Sequence, residues 1–152
     1  MYSCDTDNNT FANPFLDINY EELAITDNDS IVKFLQNNYY DVSVDSIKTL
    51  VAGEISLFDD TSKLKSISVV ENDIDHTLYV YTIEEGQPSP LKGHPTVMDS
   101  VYVKYSGRAF LESDIAVDNF DINETGIWFT LSAVVKGWKF GITNFLSGEL
   151  KK

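Results

Sequence analysis

His76 and His94 are the two histidines of this 152-residue chain, and Cys4 is its one cysteine. Neither histidine stands at a spacing from a serine or cysteine that would build a nucleophilic triad. A single cysteine supports neither an internal disulfide framework nor a cysteine-based zinc cluster. The stretch DINETG, residues 121–126, begins like a calcium loop, with Asp121, Asn123 and Thr125 at alternate positions before Gly126. Its twelfth position is Ser132 where a bidentate Glu is needed, and its flanks do not resemble paired helices, so it reads as a polar turn. The other concentrations of chemistry are apolar: VYVKYSG at 101–107 and VVKGWKF at 134–140. On composition alone these could be nothing more than a core, and no cofactor is implied.

Charge narrows the partners. Eleven basic against twenty-four acidic side chains give a formal charge of -13, which disfavours nucleic acid and anionic membrane surfaces. No stretch approaches the roughly eighteen apolar residues of a membrane span. Cys4 sits in SCDTDNN, which resembles the mature start of a bacterial lipoprotein whose cysteine carries the lipid. The alternative is an incidental thiol. At 43% apolar residues the composition is globular and can fill a sizeable core.

The elements that must position these residues follow from the local pattern. Residues 1–24 are rich in Asp and Asn, show no sustained period of two or 3.6, and read as a flexible tether. Asp27 and Asp29 are candidate N-caps for a short amphipathic helix whose stripe is Ile31, Phe34, Leu35 and Tyr39. SIKTLVAGEISLF and KLKSISVVE, separated by DDTS, are β-branched and partly alternating, and read as a hairpin or as two short strands. TLYVYTI is a strand candidate, followed by the irregular EEGQPSPLKGHP. DSVYVKYSG alternates Val101, Val103 and Tyr105 against Tyr102 and Lys104, and IWFTL supplies a further strand before the short helix entered through VVKGW.

The order of these parts is more specific than their composition. Tyr-Ser-Gly after an alternating Val strand, a Phe-Asp pair, Phe-x-Leu, Val-Val-Lys-Gly-Trp and a short apolar helix closed by Gly-Glu resemble the FKBP-type peptidyl-prolyl isomerases over residues 76–150. The region ahead of them, with DSIVKFLQNNYYD and the cysteine, resembles the extension of FKBP-type lipoproteins of the Bacteroidetes. The resemblance implies an α+β chain with an FKBP-like antiparallel sheet wrapped around a short helix, incomplete at its C-terminus. It also implies three parts: a tether at 1–24, a helix-and-strand extension at 25–75, and a partial isomerase domain at 76–152. It makes Trp138 the floor of a proline pocket, with Val134 and Val135 the aliphatic pair before it, the second offering its backbone N–H to a substrate carbonyl. Tyr105 becomes a pocket wall, with Phe129 or Ile127 beside it. Phe120 and Asp121 become the Phe-Asp pair, the ring lining the pocket and the carboxylate near the twisting amide. The implied catalytic set is Asp121, Tyr105 and Trp138, the partners are proline-containing polypeptides, and lipidated Cys4 would anchor the protein in the cell envelope.

Such a pocket suits the reaction. A prolyl bond rotates over a barrier near about 20 kcal/mol because amide resonance must be broken, and the twisted amide has a less polar carbonyl. A dry apolar site therefore favours the twisted form over the planar one. Lowering the barrier by about 5 kcal/mol would accelerate rotation by nearly four orders of magnitude. In the family the Gly-Glu leads into further strands and another pocket tyrosine, whereas this chain closes on GELKK, so weak isomerisation is expected of these 152 residues.

Overall fold

Asn19 starts the first helix. Its side-chain oxygen accepts the N–H of Glu22 at 3.2 Å, while Glu21 and Glu22 place negative charge in the first turn, where the unpaired N–H groups favour it. In the computed structural model, which describes residues 18–85, 89, 92–111 and 114–147, α1 accordingly runs Tyr20–Asn37. This corrects two sequence expectations. Residues 20–24, assigned to the tether, are helical, and Asp27 and Asp29 lie inside α1 rather than capping it. The Asn19–Glu22 pair satisfies the helix start more than two turns earlier than either aspartate could. Residues 1–17, including Cys4 and the rest of the tether, lie outside the described residues.

At the other end of α1, the Asn38 side chain donates to the Phe34 carbonyl at 2.8 Å, and the chain turns into β1, Asn38–Asp41. Tyr39, expected on the helical stripe, is therefore a strand residue. β1 pairs antiparallel with β2, Ser46–Thr49. β3, Leu64–Glu71, pairs with β4, Ile74–Tyr81, across Asn72 and Asp73, whose φ angles of 51° and 62° are those of a two-residue primed turn. The 46–58 and 63–71 segments do not form a hairpin with each other. Each finds a nearer partner through a shorter loop, whose closure costs less entropy. The division expected at 75/76 falls inside β4, so the hairpin straddles it. The Tyr79 hydroxyl reaches back to Asn28 of α1 at 3.1 Å, tying the two parts further.

β5, Ser100–Leu111, and β6, Asp114–Thr130, form the longest ladder. The chain is thus α+β, with antiparallel strands in three two-stranded ladders and two α-helices; among the described residues no strand bridges one ladder to another. The core gathers where α1 meets the 57–64 turns and β4. Phe34, Leu35 and Leu57 are buried there, flanked by Ile31, Tyr79 and Tyr81. The far end of the β5–β6 hairpin joins this core through the Phe110 ring, edge-on to Phe34 at 5.4 Å. Its base is anchored by Leu131, which is fully buried and donates its N–H to the Asp99 carbonyl at 2.9 Å. Beyond Leu131, α2, Lys136–Gly141, lies against β4. A side chain added at Gly141 would stand 3.6 Å from Leu78, and Lys136 pairs with Glu71.

Candidate functional site: an aromatic corner between the hairpin and the second helix

The register of β5 and β6 decides what meets here. Val101 faces Phe129 and Val103 faces Ile127, so those four side chains share one face by the two-residue period of a strand. The next registered pair is Tyr105 with Asn123, so Lys104 alone opposes Glu124, Thr125 and Gly126. Two extra residues preserve the alternation, and Tyr105 remains on the face of Phe129. Gly126 absorbs the bend at φ 94°, where a side chain would meet Tyr102 at 2.4 Å. The Asn123 side-chain oxygen accepts the N–H groups of Thr125 at 3.2 Å and Gly126 at 2.7 Å. The DINETG stretch is therefore a strand bulge, and Asn123 is occupied by its own backbone.

α2 completes the corner. The Trp138 ring stands edge-on to Tyr105 at 5.0 Å and to Phe129 at 5.7 Å, while Tyr105 and Phe129 are 5.8 Å apart. Such perpendicular pairs direct the positive ring edge at a negative face. All three rings are only partly buried, leaving apolar surface open to a ligand. The Tyr105 hydroxyl donates to Asp121 at 2.7 Å. That hydrogen bond, with a smaller desolvation and charge effect, raises the Tyr105 pKa above the usual phenol value.

A second bulge accounts for Phe120. Gly107 pairs with Asp121 and Arg108 with Asn119, so Phe120 is an extra residue. Its ring fills the space that a Gly107 side chain would occupy, reaching within 2.8 Å of that position. Gly107 is two residues from Tyr105, so the bulge brings Phe120 to the Tyr105 face, where Asp121, in unbroken register with Asn123, already lies by alternation. Phe120 is 75% exposed and, among the described residues, pairs with no other ring. Ile127 lies on the same face and is also exposed. Val134 is half-buried in the approach to α2. Val135 is the N-cap residue of α2: its carbonyl accepts from Trp138 at 3.0 Å and Lys139 at 3.1 Å. Its side chain is 70% exposed, and among the described residues its N–H has no hydrogen-bond partner.

Comparison with protein-family models, with curated proteins and with solved structures finds no match for this chain.

The corner is a face lined by three partly buried rings. Two clefts, of about 490 and 270 Å³, are lined by other residues, and Tyr105, Phe129 and Trp138 line neither. His94 lies in the larger cleft and His76 in the smaller, beside α2. Among the described residues no three His, Cys, Asp or Glu side chains gather as a metal site, and no helix is long and apolar enough to cross a membrane. Sequence reasoning missed the tilted pair of Tyr102 and Trp128, 5.5 Å apart on the opposite face of the hairpin. The signal was present in the alternation: each neighbours, in sequence, a residue of the other face. It also missed the Lys136–Glu71 pair that ties α2 to β3, for which no local pattern exists.

Proposed function

We propose that the chain engages proline-containing polypeptides at the corner of Tyr105, Phe129 and Trp138 and catalyses, weakly, the cis/trans rotation of their prolyl bonds, as an FKBP-like domain. The observation that carries this reading is the edge-on meeting of Trp138 with Tyr105 at 5.0 Å while Tyr105 is held by Asp121. A pyrrolidine ring laid on the three aromatic rings would lose water on one side, which favours the less polar twisted amide. The Val135 N–H, without a hydrogen-bond partner among the described residues, is a donor for a substrate carbonyl, and Phe120 and Ile127 supply exposed apolar surface on the same face. No proton transfer, metal or covalent intermediate is needed. In the finer architecture proposed, the strands from residue 76 onward belong to an FKBP-like sheet curving around α2, preceded by a helix-and-strand extension. Anchorage through a lipidated Cys4 would place the protein outside the cytoplasm, on the envelope, where unfolded chains expose prolyl bonds. Labelling with a fatty-acid analogue that persists after Cys4→Ala would remove the anchor from this picture.

The test is exchange NMR on an Ala-Pro-Phe test peptide with the full chain and with Trp138→Ala. The expected result is peptide binding with faster cis/trans exchange, both lost in Trp138→Ala. Binding without acceleration would leave a peptide-binding or chaperone module. Absence of both would overturn the reading, as would acceleration that survives Trp138→Ala.

A further inference from the structure

The cleft of about 490 Å³ opens on the face of the hairpin that carries Tyr102 and Trp128, and its volume lies within the range of small-ligand sites. Three parts of the chain build it. The hairpin base contributes the tilted ring pair of Tyr102 and Trp128, with Trp128 56% exposed. The segment after α2 contributes Phe145 and Leu146, and the loop ahead of β5 contributes Lys92 and His94. The walls are joined: the Ser147 N–H donates to the Gly93 carbonyl at 3.1 Å, so the opening is formed by the fold itself.

The polar groups around this apolar floor are divided sharply by whether they are engaged. The Tyr102 hydroxyl is committed to the Thr125 carbonyl at 2.9 Å, and the Ser100 hydroxyl pairs with that of Thr130 at 3.1 Å. Asp99 accepts the N–H and hydroxyl of Thr96, which hold its carboxyl below the usual range and keep it ionised. The Lys92 ammonium, the His94 ring and the Trp128 indole N–H have no hydrogen-bond partner among the described residues. What the cleft still offers includes the donors of the Lys92 ammonium, a full positive charge, and the Trp128 indole, with the His94 ring as donor or acceptor, beside aromatic and aliphatic side chains. A complementary ligand has an apolar body and supplies acceptors, and an anionic acceptor gains the stronger, charge-assisted bond. The charge of that ligand is bounded from above. Asp99 stands in the same cleft, and the chain as a whole carries -13, so repulsion grows with the charge of the ligand and a single carboxylate meets less of it than a phosphate or polyanion.

We infer that this cleft binds an apolar or aromatic monocarboxylate, either a free acid or the C-terminus of a peptide, with its body on Tyr102 and Trp128 and its carboxylate on Lys92 and His94. The site is separate from the corner of Tyr105 and Trp138 and does not depend on the prolyl reading.

The experiment is an amide-correlation NMR titration of the full chain with phenylbutyrate, with phenylbutyramide, and with acetyl-Ala-Phe bearing a free or an amidated C-terminus. The expected shifts map to Gly93, the Trp128 indole N–H and Leu146, and each acid binds about fivefold more tightly than its amide, the upper range for a solvent-exposed ion pair. Lys92→Gln should abolish that preference while leaving the rest of the spectrum in place, and Trp128→Ala should weaken acid and amide alike by about tenfold through lost ring contact. Tighter binding of the free-carboxyl peptide than of phenylbutyrate would assign the site to peptide termini, and the reverse order to small acids. Equal binding of acid and amide overturns the inference, as does a preference that survives Lys92→Gln, a shift map centred on Trp138, or no saturation by about 10 mM, beyond the weak limit of specific binding.

Discussion

Trp138→Ala separates a ring that is part of an open corner from one that belongs to the main core. A tryptophan can bury about 150–250 Å² of surface. Trp138 is only partly buried, so about half of that, roughly 100 Å², is the apolar area at stake, worth about 2.5 kcal/mol at 25 cal/mol per Å². The edge-on contacts with Tyr105 and Phe129, at 5.0 and 5.7 Å, would each add about 0.5 kcal/mol in so exposed a setting, the low end for aromatic pairs. The expected loss is therefore about 3 kcal/mol, at the lower edge of the roughly 3–5 kcal/mol for Trp→Ala in closed cores. Trp128→Ala is the internal comparison: with 56% of Trp128 exposed and one tilted contact to Tyr102, it should cost about 1 kcal/mol. Urea unfolding followed by far-UV circular dichroism measures both without relying on the deleted fluorophore, and equal slopes would show that the unfolded states are comparable. A loss below about 1 kcal/mol for Trp138→Ala would refute the packing of the three rings, because neither area nor ring contact would then be present. A larger loss for Trp128→Ala than for Trp138→Ala would refute the assignment of the two faces.

Tyr105 should ionise above the ordinary phenol value of 10.0, because its hydrogen bond to Asp121 favours the protonated form; absorbance titration of wild type against Asp121→Asn should show the difference disappear in the variant. The sign for stability follows from a folded-state pKa above the unfolded one: the contribution is fully present below pH 10.0 and is lost as pH rises through the elevated value, so unfolding midpoints measured on either side of that range should fall more in wild type than in Asp121→Asn. Gly126→Ala combines a left-handed backbone position with a side chain directed at Tyr102 2.4 Å away, and should cost about 1–3 kcal/mol in chemical denaturation. In the Tyr102→Ala background that cost should drop to the backbone part alone. A cost unchanged by removing Tyr102 would show that the two do not meet.

Several features were determined by the sequence itself because they depend on near neighbours. The alternation of Val101, Val103 and Tyr105 fixes which side chains share a face within an unbroken strand, and the strand candidates TLYVYTI and DSVYVKYSG lie within β4 and β5 apart from their ends. The polar turn character of DINETG is local as well, since Asn123 is satisfied by the N–H groups two and three residues on. Even the early start of α1 is written in Asn19 and Glu22, though Asp27 and Asp29 present the same chemistry and only the observed hydrogen bond distinguishes them. What the tertiary structure alone decided is partnership and parity. β2 pairs back to β1 and β3 forward to β4, a choice between loops that strand composition does not register. Two extra residues at Glu124–Gly126 keep Tyr105 on the face of Phe129, while the single extra residue Phe120 turns its ring over Gly107 and leaves Asp121 beside Tyr105. A bulge of even count preserves the two-residue period and one of odd count breaks it, and that count exists only in the pairing of two strands. The meeting of Trp138 with both rings depends in turn on α2 being set against β4 through Gly141 and tied to β3 by Lys136 and Glu71, contacts between segments more than fifty residues apart that no local pattern encodes.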